Sequence, residues 1–488
     1  MSARRLRAVP PLAWVALMAA LQGGVFAWLS LRRHDAFWTG RFDVGNMVQA
    51  VWSTAQGRPL ETTDMFGEQF VRLGAHVDPL LLVFTPFAWT GALAEVMLAG
   101  QALAVAAGAL PAFWLGRRWL GSPGWGLAAA AVYLLYPPLQ WAVVTDVHAV
   151  TLAAPLLMFC IWAAEERRWV VLATCAPLAA LGKEQVGLAL AVLGAWLAVR
   201  GARRAGAALA AGGVAWSAFS VAVIIPRFSA GEGSAFVARY GHLGDSEGEV
   251  LAAVLTRPWE AAELVAEPRR LLYLAMLLAP LLFLPLAAPL LAAGALPDLA
   301  LNLLSDLPAQ HQIRFHYTAV IAPFLIAAAI LGLARVRAWW EARPAPPRPR
   351  PRVVAAAWVG TAALAGVVLG PAPWWSHVPL GSDERANTYS PGAHAAAARE
   401  AVRMVPDGVP VSAGNTLGAH LSERERILLF PVVADAEWVV VDRRRPYLGD
   451  RRDPEGHRER VGALRADPAW ELEYDVDGVM VFRRSGGP

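Results

Sequence analysis

Four stretches of the chain gather side chains that can move protons, grip phosphate or ligate a metal. The first is Arg41-Phe42-Asp43-Val44-Gly45-Asn46-Met47-Val48-Gln49-Ala50-Val51-Trp52, where Phe42, Met47, Val48, Val51 and Trp52 fall at helical spacing behind Asp43. This pattern predicts an amphipathic helix lying on the membrane. Asp43 at its start suits a cap, and equally a general base held by a rigid element at the water–lipid boundary. The second stretch holds two His/Asp pairs, His76-Val77-Asp78 and Asp146-Val147-His148. Their spacing of two brings both side chains together in a loop but not on one helix face. Carboxylate plus imidazole can hold Mn²⁺, Zn²⁺ or Fe²⁺, which makes Asp78, Asp146 and His148 candidate ligands of a divalent cation and His76 a candidate substrate contact. The third is Lys183-Glu184 at the end of an apolar run, either a phosphate-binding lysine with its carboxylate neighbour or a snorkelling ion pair. The last is the run 305–317, in which Arg314 and His316, with Tyr317 beside them, are fixed donors suited to a phosphate or members of an interfacial belt.

The elements that must position these groups are apolar. Of the 488 residues 56% are hydrophobic and 17% charged, and the apolar ones come in blocks about as long as the roughly 20 residues a spanning helix needs. The expected spans are 9–31, 92–116, 122–141, 149–164, 168–182, 185–200, 206–226, 271–285, 287–304, 317–334 and 353–371, about eleven crossings. The stretch 79–89 is too short to cross and reads as re-entrant or interfacial. The stretch 271–304 is too long for one crossing, so a hairpin is expected near Pro285. Cys160 and Cys175 sit inside apolar runs as small hydrophobes.

Arginines cluster at 117–118, 167–168, 200–204 and 335–352, which the positive-inside rule makes the cytoplasmic side. The formal net charge of +4 then reports topology rather than a nucleic-acid partner. The N-terminus is expected in the cytoplasm behind a retained signal anchor, in a multi-pass protein of the plasma (inner) membrane. Nearly all acidic residues of the membrane portion face outward, so a site among them opens outward. The chain divides at residue 371: a transmembrane domain over 1–371, with its first outer loop at 32–91, and a small soluble extracytoplasmic α/β domain over 372–488. In the latter, Ser390-Pro391 predicts a helix start and Asp407-Gly408 its end. Residues 409–413, 438–442 and 470–474 read as strands, and Asp477-Gly478 as a hairpin turn into 479–483. The expected role of this domain is a lid or packing module.

Asp43-Val44-Gly45 with Gln49 and Trp52, His76 with Pro79, Lys183-Glu184, Pro297-Asp298 with Asn302, and Phe315-His316-Tyr317-Thr318-Ala319 resemble an uncharacterised family of bacterial and archaeal predicted membrane proteins, similar to GT-C glycosyltransferases. The resemblance covers most of 40–335 and continues more weakly around Val411-Ser412-Ala413-Gly414-Asn415. The chain departs from the family pattern at Val48 and Gln185, where acidic residues are expected. The resemblance implies a GT-C-like helical membrane fold around an outward cavity, with a catalytic acidic residue in the first outer loop. The implied activity takes a sugar from a polyprenyl-phosphate donor to a glycan, lipid or protein acceptor outside the membrane. Asp43 would be the base, and His76, Lys183, Glu184, Arg314, His316 and Tyr317 would bind substrate. The alternatives are a transporter or flippase of lipid-linked glycan, which lacks support in the nearly charge-free spans, and a non-catalytic protein of envelope assembly.

Overall fold

The computed structural model describes residues 9–229, 237–343, 350–371, 386–445 and 453–486. Helices occupy all the expected spans. Pro11–Asp35, Leu93–Leu120, Arg203–Phe228, Ile321–Glu341 and Pro351–Leu369 are long and apolar enough to cross a bilayer. Pro123–Leu135 and Pro137–Val144 are together long and apolar enough for a crossing but are bent by 47° at the break between them, with two prolines at the start of the second half. The other apolar helices, Ala149–Glu165, Trp169–Ala180, Val186–Val199, Pro289–Leu304 and Pro79–Thr90, have only 10–17 residues. Five or six helices of the described residues therefore meet the length of a crossing, against the expected eleven or so. Several of the short ones end where polar residues interrupt the apolar run, and those interruptions carry the candidate site. The expected hairpin turns at Leu282 and Phe283, both at positive φ, just ahead of Pro285.

Close packing fixes the interruptions in space. Val186–Val199 and Arg203–Phe219 meet backbone to backbone at Gly187 and Gly213, where a Cβ on either would stand 2.3 Å from the other's carbonyl oxygen. Small residues at a helix crossing permit this approach, and it brings the Ser217 hydroxyl 2.7 Å from the Glu184 carbonyl oxygen, to which it donates.

The first outer loop is folded. Asn46–Ala55 is a helix, but Met47, Val48 and Val51 are buried against Leu81, Phe84 and Met97 while Phe42 is exposed. The expected membrane-surface helix is therefore a packed element of the protein. A short hairpin, β1 (Glu61–Thr63) and β2 (Gln69–Val71), follows it. Pro79–Thr90 exposes Leu82, Val83, Phe87 and Trp89.

The C-terminal region holds strands β3 (Val411–Ala413), β4 (Ile427–Leu429), β5 (Trp438–Asp442), β6 (Trp470–Val476) and β7 (Val479–Arg484) in the order β4-β3-β5-β7-β6. The β3 strand runs parallel to β4 and β5, whereas β7 is antiparallel to both its neighbours. Alternate residues feed two cores, as the period of a strand dictates. Val440 and Val481 pack with Ala395, Ala398 and Ala401 of helix Ala393–Met404. Val439, Val441, Met480 and Phe482 pack with Val461 and Leu464 of helix Pro454–Ala466. The expected turn at Asp477-Gly478 has both residues at positive φ, as a tight hairpin requires. β4 and the helix Pro454–Ala466 were not anticipated. The helix expected to start at Ser390-Pro391 starts at Ala393 with no side-chain cap.

Candidate functional site

Asp43 lies in a π-helical turn, Arg41–Gly45, closed by a hydrogen bond from the Gly45 N–H to the Gly40 carbonyl (3.1 Å). The following helix has Gly45 at its cap position and no side-chain cap bond, so Asp43 is not the expected cap. Its carboxylate points instead to the break between Val144 and Ala149, where its Oδ1 lies 3.3 Å from His148 Nε2 with the Asp43 side chain 42% exposed. Gln101 holds that break open from the neighbouring helix: its amide donates to the Asp146 carbonyl (2.8 Å), and its Oε1 accepts from the His148 N–H (2.9 Å). Asp146 is buried beside Asp43. Burial, then repulsion by Asp43, pushes the Asp146 carboxyl well above the usual carboxylate range. The His148 ring stacks on His316 at 3.5 Å, and His316 in turn lies 4.3 Å from the Tyr317 ring.

Beyond His316 a cavity of about 670 Å³ opens. Its polar end holds His76, Lys183, Glu184, Gln185, Arg239, Asp298, Gln310, His316 and Tyr317. Leu188, Val221, Ile225, Val250, Leu251 and Val254 wall its apolar side. Lys183 and Glu184 sit in the turn between Trp169–Ala180 and Val186–Val199. Glu184 takes hydrogen bonds from the Val77 N–H (3.0 Å) and from His76 Nδ1 (3.1 Å). Burial opposes its ionisation, but His76, Lys183 and backbone N–H groups together hold its carboxyl down at about 2. Burial and then Lys183 lower His76 to about 4, so the neutral ring donates through Nδ1. Burial also lowers Lys183, against the pull of Glu184, and drives His316 well below the usual histidine range.

Of the candidates, His76, Lys183, Glu184, His316 and Tyr317 line one cavity; Asp43 does not line it but lies against His148, whose ring stacks on the cavity residue His316. Arg314 does not line it; its guanidinium lies over the Trp141 ring at 5.5 Å. Asp78, Asp146 and His148 do not come together as a metal set. Asp78 is buried in a two-pronged ion pair with Arg72, whose Nε lies 3.0 Å from both carboxylate oxygens and whose second nitrogen lies 2.6 Å from one. Among the described residues no group of three or more His, Cys, Asp or Glu could hold a metal ion. Two site residues escaped the sequence-based candidates. Asp298 accepts from Gln185 (3.3 Å) inside an otherwise apolar helix, and a carboxyl in such a run is itself the signal that could have singled it out. Arg239 comes from the long segment between two spans, where nothing in its neighbours marks it.

Fold and site together define a polytopic helical membrane protein with a polar cavity let into its bundle. Within that class the chain belongs to the family described as Predicted membrane protein (DUF2079), whose model matches residues 33–481. No curated protein matches it. Among solved structures, ArnT from Cupriavidus metallidurans in the apo state is similar over 96% of this chain and 98% of its own, at 14% identity and a TM-score of 0.46. The archaeal oligosaccharyltransferase AglB from Archaeoglobus fulgidus, in complex with an inhibitory peptide and a dolichol-phosphate, is similar over 97% of this chain and 74% of its own, at 13% identity and a TM-score of 0.46. Both likenesses are of outline, at scores too low to bear on reaction or ligand.

Proposed function

We propose that the protein is a GT-C-like glycosyltransferase of the plasma membrane, with its N-terminus in the cytoplasm and its cavity and C-terminal domain outside. It moves a sugar from a polyprenyl-phosphate donor to an extracytoplasmic acceptor. The observation that supports this reading is the mixed lining of the cavity: Lys183, Arg239, His76 and His316 with the carboxyls of Glu184 and Asp298, together with many aliphatic side chains. A lipid-linked phosphosugar has the matching two halves. Lys183 and Arg239 hold the phosphate, His316 donates to it or to the sugar, His76 accepts from a sugar hydroxyl through Nε2, and the aliphatic side chains take the first isoprene units. The acceptor oxygen bonds to the anomeric carbon as the bond from that carbon to the phosphate oxygen breaks. The electron pair leaves with the phosphate, where the two cations steady it, and the acceptor proton passes to Asp43. His148 orients Asp43.

The test is donor turnover. Detergent-purified protein is mixed with undecaprenyl phosphate carrying a radiolabelled hexose or pentose and with a membrane extract as acceptor source. Release of undecaprenyl phosphate with label moved to a second carrier supports the reading. Absence of both donor turnover and undecaprenyl-phosphate binding overturns it.

A further inference from the structure

The C-terminal domain touches the Asp43 turn directly, and one side chain makes the contact specific. The first N–H groups of a helical turn have no partner within it. Here the Phe42 N–H donates to Oδ1 of Asn415 at 3.0 Å, across 373 residues of chain. The Asn415 amide lies flat against the turn, so that a Cβ at Gly40 would stand 2.6 Å from its nitrogen. Arg41, fully buried, reaches past it to donate to the Ile427 carbonyl at 2.8 Å and to the Thr63 carbonyl. Gln49, on the next turn, donates to the Glu425 carbonyl at 2.9 Å. On its other side the same turn is tied to His148 through Asp43 itself. The turn is held between two parts of the protein.

We propose that Asn415 is a positioning residue for Asp43: by capping the Arg41–Gly45 turn from the C-terminal domain, it sets where the carboxylate stands relative to the cavity. The domain is then a part of the site rather than a lid over it. The catalytic consequence rests on the reading of Asp43 as the base, whereas the structural one does not.

Two variants and two readouts separate these. Asn415→Asp keeps the acceptor oxygen, and Asn415→Leu removes it. In the full-length purified protein, hydrogen exchange over residues 40–45 is expected to quicken about tenfold in Asn415→Leu, the loss of one net hydrogen bond, and to stay near wild type in Asn415→Asp. Exchange in helix Ala393–Met404 should not change. Should leucine loosen that helix as well, Asn415→Ala, which adds no bulk, takes its place. With undecaprenyl-phosphate-linked sugar as donor, kcat should fall about tenfold in Asn415→Leu with the donor KM unchanged, because Lys183 and Arg239 are untouched, and Asn415→Asp should recover it. Unchanged exchange at 40–45 overturns the proposal. So does faster exchange with full kcat. A wild-type protein that turns over no donor overturns the transferase reading instead, and the exchange arm still decides whether Asn415 holds the turn.

Discussion

Replacing Asp43 by Asn separates catalysis from structure because the structure assigns the two roles very different energies. Asp43 caps no helix, and its one short side-chain contact is His148 at 3.3 Å, with 42% of the side chain exposed. A pair that open contributes at most about 1 kcal/mol. Asparagine keeps an oxygen for His148, and losing the charge also relieves the repulsion on Asp146. The melting temperature of Asp43→Asn should therefore stay within a few degrees of wild type. Loss of a general base lowers rate by about 10² to 10⁴, which is roughly 3 to 5 kcal/mol of barrier. Initial rates of label transfer from undecaprenyl-phosphate-linked sugar, taken alongside melting by intrinsic tryptophan fluorescence, read both quantities on one preparation. The expected outcome is a folded protein with the donor KM intact and the rate nearly gone. A variant that keeps more than about a tenth of the wild-type rate would refute the assignment of Asp43 as base. A large drop in melting temperature would show that its part in the turn was underestimated.

Asp78→Ala leaves the Arg72 guanidinium buried without its partner, so it should cost about 3 to 5 kcal/mol of stability; a stable variant with lost activity would return Asp78 to the functional residues. Arg239→Ala should weaken undecaprenyl-phosphate binding at least tenfold, measured by native mass spectrometry, with a smaller effect on kcat; unchanged binding would remove Arg239 from the phosphate seat. Acidification should destabilise the protein, because His76 titrates at about 4 rather than its ordinary 6.5. The unfolded chain takes up that proton first, so stability falls as pH drops below about 6.5, by roughly 2 kcal/mol at pH 5, and this contribution ends near pH 4. Glu184, held at about 2, loses its contribution lower still, between 4.5 and about 2. A melting series from pH 7 to 5 on wild type and His76→Gln tests the sign: the variant should lose less, and a wild type that gains stability on acidification would contradict it.

Much of the bundle was legible because an apolar run of fixed length has few other uses. Lys183, Glu184, His76 and His316 were legible for the complementary reason: ionisable groups at the ends of such runs are costly to place there. Where expectation and structure part, a partner lies outside the local window. Asp78 looked like half of a His/Asp pair at i, i+2, but its carboxylate turns to Arg72, six residues earlier, brought within reach by the short 3-10 turn Arg72–Gly74. Arg314 seemed a phosphate grip from its neighbours, yet the Trp141 ring claims its guanidinium, and Arg239 reaches the cavity in its place.

The C-terminal domain shows the same limit at greater range. Its strands were readable from alternation, but alternation says which face of a strand is buried and not what the end of the strand touches. Asn415 follows β3 at the edge of a short loop, a place where asparagine ordinarily satisfies its own backbone. Its oxygen instead accepts from Phe42, whose turn has Gly40, a residue without a side chain, at its cap position. A glycine at the cap position offers no side-chain acceptor, so the cap has to come from elsewhere in the chain. That contact ties the C-terminal region to the Asp43 turn, and it predicts that Asp43 and Asn415 substitutions act on one step: the double variant Asp43→Asn with Asn415→Leu should be no slower than Asp43→Asn alone. A further loss in the double variant, measured with the same donor, would mean that Asn415 acts somewhere other than through Asp43.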